Sequence, residues 1–120
     1  MLILIADDMT MGREAVQDVL EKMYPNAEFI EASTGEEVMA MINNGQAPDL
    51  IVCDHHFSEY RPIAKGTDVI RWLREDMAMS TPVILFTSDS SAGQSLKKEW
   101  QVRMLGCIGG LRNVVKDILG

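Results

Sequence analysis

The chain has 120 residues, of which 47% are apolar and 24% charged, and its formal net charge is −7. That length makes one domain, 1–120, with room for a proper core and none for a second; the acidic balance argues against nucleic acid or an anionic membrane as the domain's own target. Cys53 and Cys107 each sit in an apolar run without Cys-x-x-Cys or Cys/His spacing, which reads as small core residues in a reducing compartment rather than a zinc site.

Leu2 to Ala6 is an apolar run that stops abruptly at Asp7-Asp8. It is too short for a signal peptide or a membrane span, so a cytoplasmic protein is expected. From Thr10, a candidate N-cap, Ala15, Val16, Val19, Leu20 and Met23 recur at helical spacing until Pro25. Glu28 to Ala32 reads as a short strand, and its two glutamates suit a sheet edge. Thr34-Gly35-Glu36-Glu37 matches a capping box, in which hydroxyl and carboxylate each satisfy a free amide. The helix it opens turns Val38, Met41 and Ile42 inward and ends at Asn43-Asn44-Gly45.

Leu50-Ile51-Val52-Cys53 is apolar enough for a strand of a parallel sheet buried on both faces, and it ends in Asp54. The stretch from His55 to Lys65 has no consistent period and is longer than most strand-to-helix loops. Thr67 is placed to cap a helix with Val69, Ile70 and Leu73 inward, ending near Asp76. Pro82 to Phe86 is a fourth strand that delivers Thr87 to the edge where Asp7, Asp8 and Asp54 already lie. Ser90 to Trp100 reads as a weaker helix because it contains Gly93 and has only Ala92, Leu96 and Trp100 for an apolar face. Met104 to Ile108 is a fifth strand; Gly109-Gly110 is a break; Leu111, Val114, Val115, Ile118 and Leu119 face a last helix inward. Five alternations of strand and helix with right-handed crossovers give an α/β fold, a parallel sheet with helices on both faces.

In such sheets ligands bind at the carboxyl ends of the strands. Carboxylates from two strand ends repel one another unless protonated or bridged by a cation. An oxygen donor set suits a hard cation, Mg²⁺ above others, because it needs one or two carboxylates and keeps its waters. Such an ion attracts a phosphoryl group, and a carboxylate beside it is a possible nucleophile that would form an acyl phosphate. One Asp after an apolar strand is ordinary loop chemistry. The conjunction of Asp7-Asp8, Asp54 and Thr87, each directly after its own strand, is far more specific. Trp72 and Trp100 read as packing or partner-surface residues, and the nine methionines as core filler rather than a metal site.

The acidic pair in Ile5-Ala6-Asp7-Asp8, the segment Pro48-Asp49-Leu50-Ile51-Val52-Cys53-Asp54, the helix start Gly66-Thr67-Asp68-Val69-Ile70-Arg71 and the strand Pro82-Val83-Ile84-Leu85-Phe86-Thr87-Ser88 resemble the receiver domain of two-component response regulators. The resemblance implies a flavodoxin-like, CheY-like three-layer sandwich of strand order 2-1-3-4-5. It implies Asp54 as phosphoacceptor, with Mg²⁺ held by Asp8, Asp54 and the backbone carbonyl of His56, Asp7 acting mostly through water, and Thr87 touching the phosphoryl group. It further implies a signalling domain rather than an enzyme, at most self-phosphorylating and self-dephosphorylating. The expected partners are a histidine kinase or phosphotransfer protein and a downstream effector domain or protein, with a possible homodimer through the fourth helix, fifth strand and last helix.

The pattern departs from the family in three ways. Counted from Thr87, the usual Lys-Pro pair after strand five falls on Gly109-Gly110, and the switch aromatic three residues earlier falls on Gly106. The loop from His55 to Lys65 is longer than the family norm and offers Arg61 and Lys65 as replacement cations, Lys65 the better placed. An alternative reading is a receiver that serves as a protein-interaction module without phosphorylation. A small metal-dependent phosphohydrolase built on Asp54-His55-His56 is a third, disfavoured because neighbouring histidines on an extended chain point to opposite sides.

Overall fold

The computed structural model describes residues 1–57, 63 and 65–120. Five parallel strands, β1 (Leu2–Ala6), β2 (Glu28–Ala32), β3 (Leu50–Asp54), β4 (Val83–Phe86) and β5 (Arg103–Leu105), form one sheet in the order β2-β1-β3-β4-β5. The glutamate-bearing β2 lies at an edge, as its composition predicts. The helices are α1 (Thr10–Met23), α2 (Gly35–Asn43), α3 (Gly66–Arg71), which continues as a π-helical turn over Trp72–Asp76, and α4 (Leu111–Leu119).

Alternation along the strands sends successive side chains to opposite faces, and each face has its own core. Ile3, Ile5, Leu50, Val52 and Ile84 pack with Val16 and Leu20 of α1 and Leu111 and Val115 of α4. Leu4, Ala6, Ile51, Cys53, Val83 and Leu85 pack with Val38 and Ile42 of α2 and Val69, Ile70 and Leu73 of α3 and its π turn. Trp72 and Trp100 are half-buried against this second core, which makes them packing residues. No helix among the described residues is long and apolar enough to cross a membrane.

The capping box at α2 forms as its spacing predicts: Thr34 Oγ1 accepts from Glu37 N at 3.1 Å, and Glu37 accepts from Ser33 N at 2.8 Å. Two other caps differ. Thr10 is the first helical residue and Met9 the N-cap, because Asp7 Oδ1 accepts from Met9 N at 2.9 Å and turns the chain earlier. α3 begins at Gly66 with Lys65 as N-cap and Thr67 buried, since Gly66 N donates to the His55 carbonyl at 2.7 Å and pins the helix start to the strand.

The segment expected as a fourth helix is two 3₁₀ turns, Ser90–Ser95 and Lys98–Trp100. Asp89 Oδ1 accepts from Ser91 N at 2.9 Å and tightens the first turn, while Gln101 at φ 54 ends the second. With no continuous apolar stripe to bury, the longer hydrogen-bond ladder has little to stabilise it. β5 ends at Leu105 rather than at residue 108, because Gly106 leaves the sheet and Ile108–Gly110 form a 3₁₀ turn leading into α4. Cys107 therefore lies exposed instead of in the core, whereas Cys53 is buried and its thiol is pushed far up by burial.

Candidate functional site

The parallel register carries three strand ends to one edge. Ala6 pairs with Cys53 and Asp54 with Phe86, so Asp7, Asp54 and Thr87 follow one another across β1, β3 and β4. One carboxylate oxygen from each of Asp7, Asp8 and Asp54 lies within 4.8 Å of the others. Asp7 and Asp54 are half-buried and Asp8 is exposed. Asp54 Oδ1 accepts from His55 N at 3.0 Å, which fixes the carboxylate at the strand end.

Burial, with repulsion from neighbouring carboxylates, raises the carboxyls of Asp54 and Asp7. Desolvation, then the Asp7 and Asp8 charges, raise the Asp54 carboxyl to about 6, against the opposing backbone amides of His55 and His56. Desolvation likewise raises Asp7, with Asp8 adding to it and the Met9 amide opposing it. A divalent cation removes both penalties at once, because it replaces lost hydration and offsets repulsion. The all-oxygen donor set, open on the Asp8 side, fits a hard ion that retains waters.

Residues without an obvious motif hold this arrangement. Arg13 donates from Nη1 to the Asp7 carbonyl at 2.7 Å and from Nε to Glu31 Oε1 at 3.3 Å, clamping the loop after β1 onto the edge strand. A Cβ on Gly12 would overlap the Asp7 carboxylate, and one on Gly66 would overlap the Asp54 carbonyl and meet Leu85 Cδ1 at 2.8 Å. A glycine inside the first turn of a helical pattern is a signal of close packing, so Gly12 was legible; nothing marks Arg13.

Thr87 continues from β4, its amide donating to the Leu105 carbonyl at 3.0 Å and its hydroxyl oxygen accepting from Asp89 N at 3.0 Å. His56 follows Asp54 by two residues, exposed and bridged to Lys65 across an antiparallel pair. His55 is buried, yet the two imidazole rings approach to 4.6 Å, closer than an ideal extended chain predicts. The acidic group Asp7, Asp8 and Asp54 includes neither histidine. Lys65 is exposed, and among the described residues no ion pair joins it to the carboxylates. Arg61 lies outside the described residues.

Residues 3–109 match the sequence model of the response regulator receiver domain. The chain belongs to this receiver family. Solved structures similar to the receiver over 98% of its length include the chemotaxis response regulator CheY4 of Vibrio cholerae, with 20% identity, a TM-score of 0.74 and 98% of that chain covered. Another is TrrA of Thermotoga maritima, solved in complex with Mg²⁺ and BeF, with 24% identity, a TM-score of 0.77 and 98% of that chain covered. The Mn²⁺-bound form of response regulator Rcp1 is similar at 22% identity and a TM-score of 0.70 over 98% of the receiver and 90% of that chain. No curated protein matches the receiver sequence. These likenesses establish the CheY-like fold.

The register also relocates the departure at strand five. Leu105 pairs with Phe86, so the residue facing Thr87 just beyond β5 is Gly106, whose added Cβ would stand 3.8 Å from the Thr87 carbonyl oxygen. Gly109, reached by counting from Thr87, belongs to the following turn, and the residue directly after the strand is Gly106. Three residues before it stands Arg103, exposed and paired with Asp117 at 3.2 Å. By either count the receiver has neither the lysine nor the aromatic.

Proposed function

We propose that the receiver accepts a phosphoryl group on Asp54 from a phosphohistidine of a histidine kinase or phosphotransfer protein, in a Mg²⁺-dependent reaction in the cytoplasm, and signals through protein contacts. The observation that carries this reading is the convergence of Asp7, Asp8 and Asp54 within 4.8 Å at the sheet edge that Thr87 also borders. An Asp54 oxygen attacks phosphorus, the histidine nitrogen leaves, and an acyl phosphate forms. Asp8, Asp54 and the His56 carbonyl would hold Mg²⁺, which neutralises phosphoryl charge when bound. Asp7 would act through water, and the Thr87 hydroxyl would donate to a phosphoryl oxygen.

The missing lysine favours a second reading, an interaction module that does not use phosphorylation. Intact-mass measurement with a small phosphodonor and Mg²⁺ separates the two. One phosphoryl adduct is expected, absent with chelator and in Asp54→Asn. An adduct that persists in Asp54→Asn places the acceptor elsewhere, and no adduct with any donor leaves the interaction module. The homodimer expected of the fourth helix, fifth strand and last helix would here use the two 3₁₀ turns of 90–100, β5 and α4.

A further inference from the structure

Beside the acidic cluster, α1 does not close fully onto the sheet. A cavity of about 180 Å³ lies there, walled by Ile5, Val16, Val52, Phe86 and Ile108 and bordered by the carboxyl-bearing Asp7 and Asp54. Small residues on α1, Gly12 and Ala15, leave the space on one side. On the other, the chain beyond β5 runs Gly106-Cys107-Ile108-Gly109-Gly110 and sends no long polar side chain across.

Size and charge together define what fits. A mostly apolar cavity of about 150 Å³ accepts a ligand of roughly six heavy atoms. Apolar walls favour a hydrocarbon chain, and two carboxylates require a cation at one end. Among the described residues, no lysine or arginine lines the cavity. The nearby Arg13 spends its donors on the Asp7 carbonyl, Thr10 and Glu31. A metal ion alone answers the carboxylates and leaves the walls uncovered; a neutral hydrocarbon does the reverse.

We propose that this cavity binds a small primary alkylammonium of about five carbons, its ammonium paired with Asp7 and Asp54 and its chain lying along Ile5, Val16 and Val52. The ammonium then stands beside Asp54. Where Asp54 carries a phosphoryl group, it supplies the cation that Gly106 and Gly109 do not. That consequence rests on the reading of Asp54 as phosphoacceptor, whereas binding does not.

The test titrates the unphosphorylated, Mg²⁺-free receiver with n-pentylamine, 1-pentanol or methylamine, followed by methyl and amide NMR. n-Pentylamine should shift the Ile5, Val16, Val52 and Ile108 methyls saturably, with an affinity at least tenfold above both controls. Ala15→Leu and Ile108→Trp narrow the cavity from opposite sides at exposed positions, and each should abolish the shifts; Asp54→Asn, which leaves Asp7 in place, should lower the amine's affinity several-fold toward that of the alcohol. Equal binding of amine and alcohol overturns the charge assignment. Shifts that do not saturate, or full affinity in either folded cavity variant, overturn the site.

Discussion

Asp54 shows how a half-buried carboxylate at a strand end can lower stability. Its carboxyl sits at about 6, above the unfolded value near 3.8, because burial and the Asp7 and Asp8 charges disfavour the ionised form. Between those values the native receiver holds a proton that the unfolded chain has released, so this contribution to stability is full below about pH 4 and gone above about pH 6. For a half-exposed group the loss is about 1 kcal/mol after solvent screening. Metal-free thermal melts should therefore show stability falling across that window more steeply for wild type than for Asp54→Asn, in which the raised Asp7 carboxyl still contributes, with the variant about 1 kcal/mol more stable at pH 7. A wild-type curve that rises over the same window contradicts the account. The acidic pair divides differently: Asp7 Oδ1 is engaged by the Met9 amide, while Asp8 is exposed. Mg²⁺ titrations should lose more affinity in Asp8→Asn than in Asp7→Asn, since groups acting through a water cost less to remove than direct ligands; equal losses would put both carboxylates on the ion.

The elements around these residues explain why much of the site was readable in advance. β1 and β3 are uninterrupted apolar runs, so their polar successors Asp7, Asp8 and Asp54 had to emerge at one edge once the strands were parallel. Local patterning says less about β5 and the segment before it. There, Gly93 fits against Met104, and the chain takes short turns that no helical period announces. Counting from Thr87 reaches Gly109, whereas the observed end of β5 leaves Gly106 directly beyond the strand. Arg13 was hidden for another reason: an arginine in the first turn of a helix reads as solvated until the fold brings Asp7 and Glu31 to it. The starts of α1 and α3 yield a paired test, because each depends on a glycine pressed against an acidic strand end. Gly66→Ala must move the Asp54 backbone and should destabilise the receiver by about 1–3 kcal/mol in denaturant unfolding. Gly12→Ala displaces only the Asp7 carboxylate, so it should weaken Mg²⁺ binding several-fold with little loss of stability. Matching stability losses in the two variants would show that the Gly12 contact bears on the fold and not on the site.

Across the whole molecule, the sheet separates two apolar cores and the site spans the edge between them. Asp7 opens the loop leading to α1 on one face, while Asp54 leads through His55 to the start of α3 on the other. A cation on the carboxylates therefore ties together segments from both layers. The half-burial of Asp54 has one more consequence, which concerns acidity. With its carboxyl at about 6, Asp54 is partly protonated in slightly acidic solution, and an ion can use that oxygen only by expelling the proton. Ion capture should release protons near pH 6 and almost none near pH 8. Calorimetric titration with Mg²⁺ in two buffers of different ionisation enthalpy reads this directly: the heats should diverge at pH 6 and coincide at pH 8. Through this linkage a fall in pH of a single unit would compete with an ion for Asp54, so occupancy of the carboxylate cluster would follow the acidity of the surroundings as well as the supply of metal.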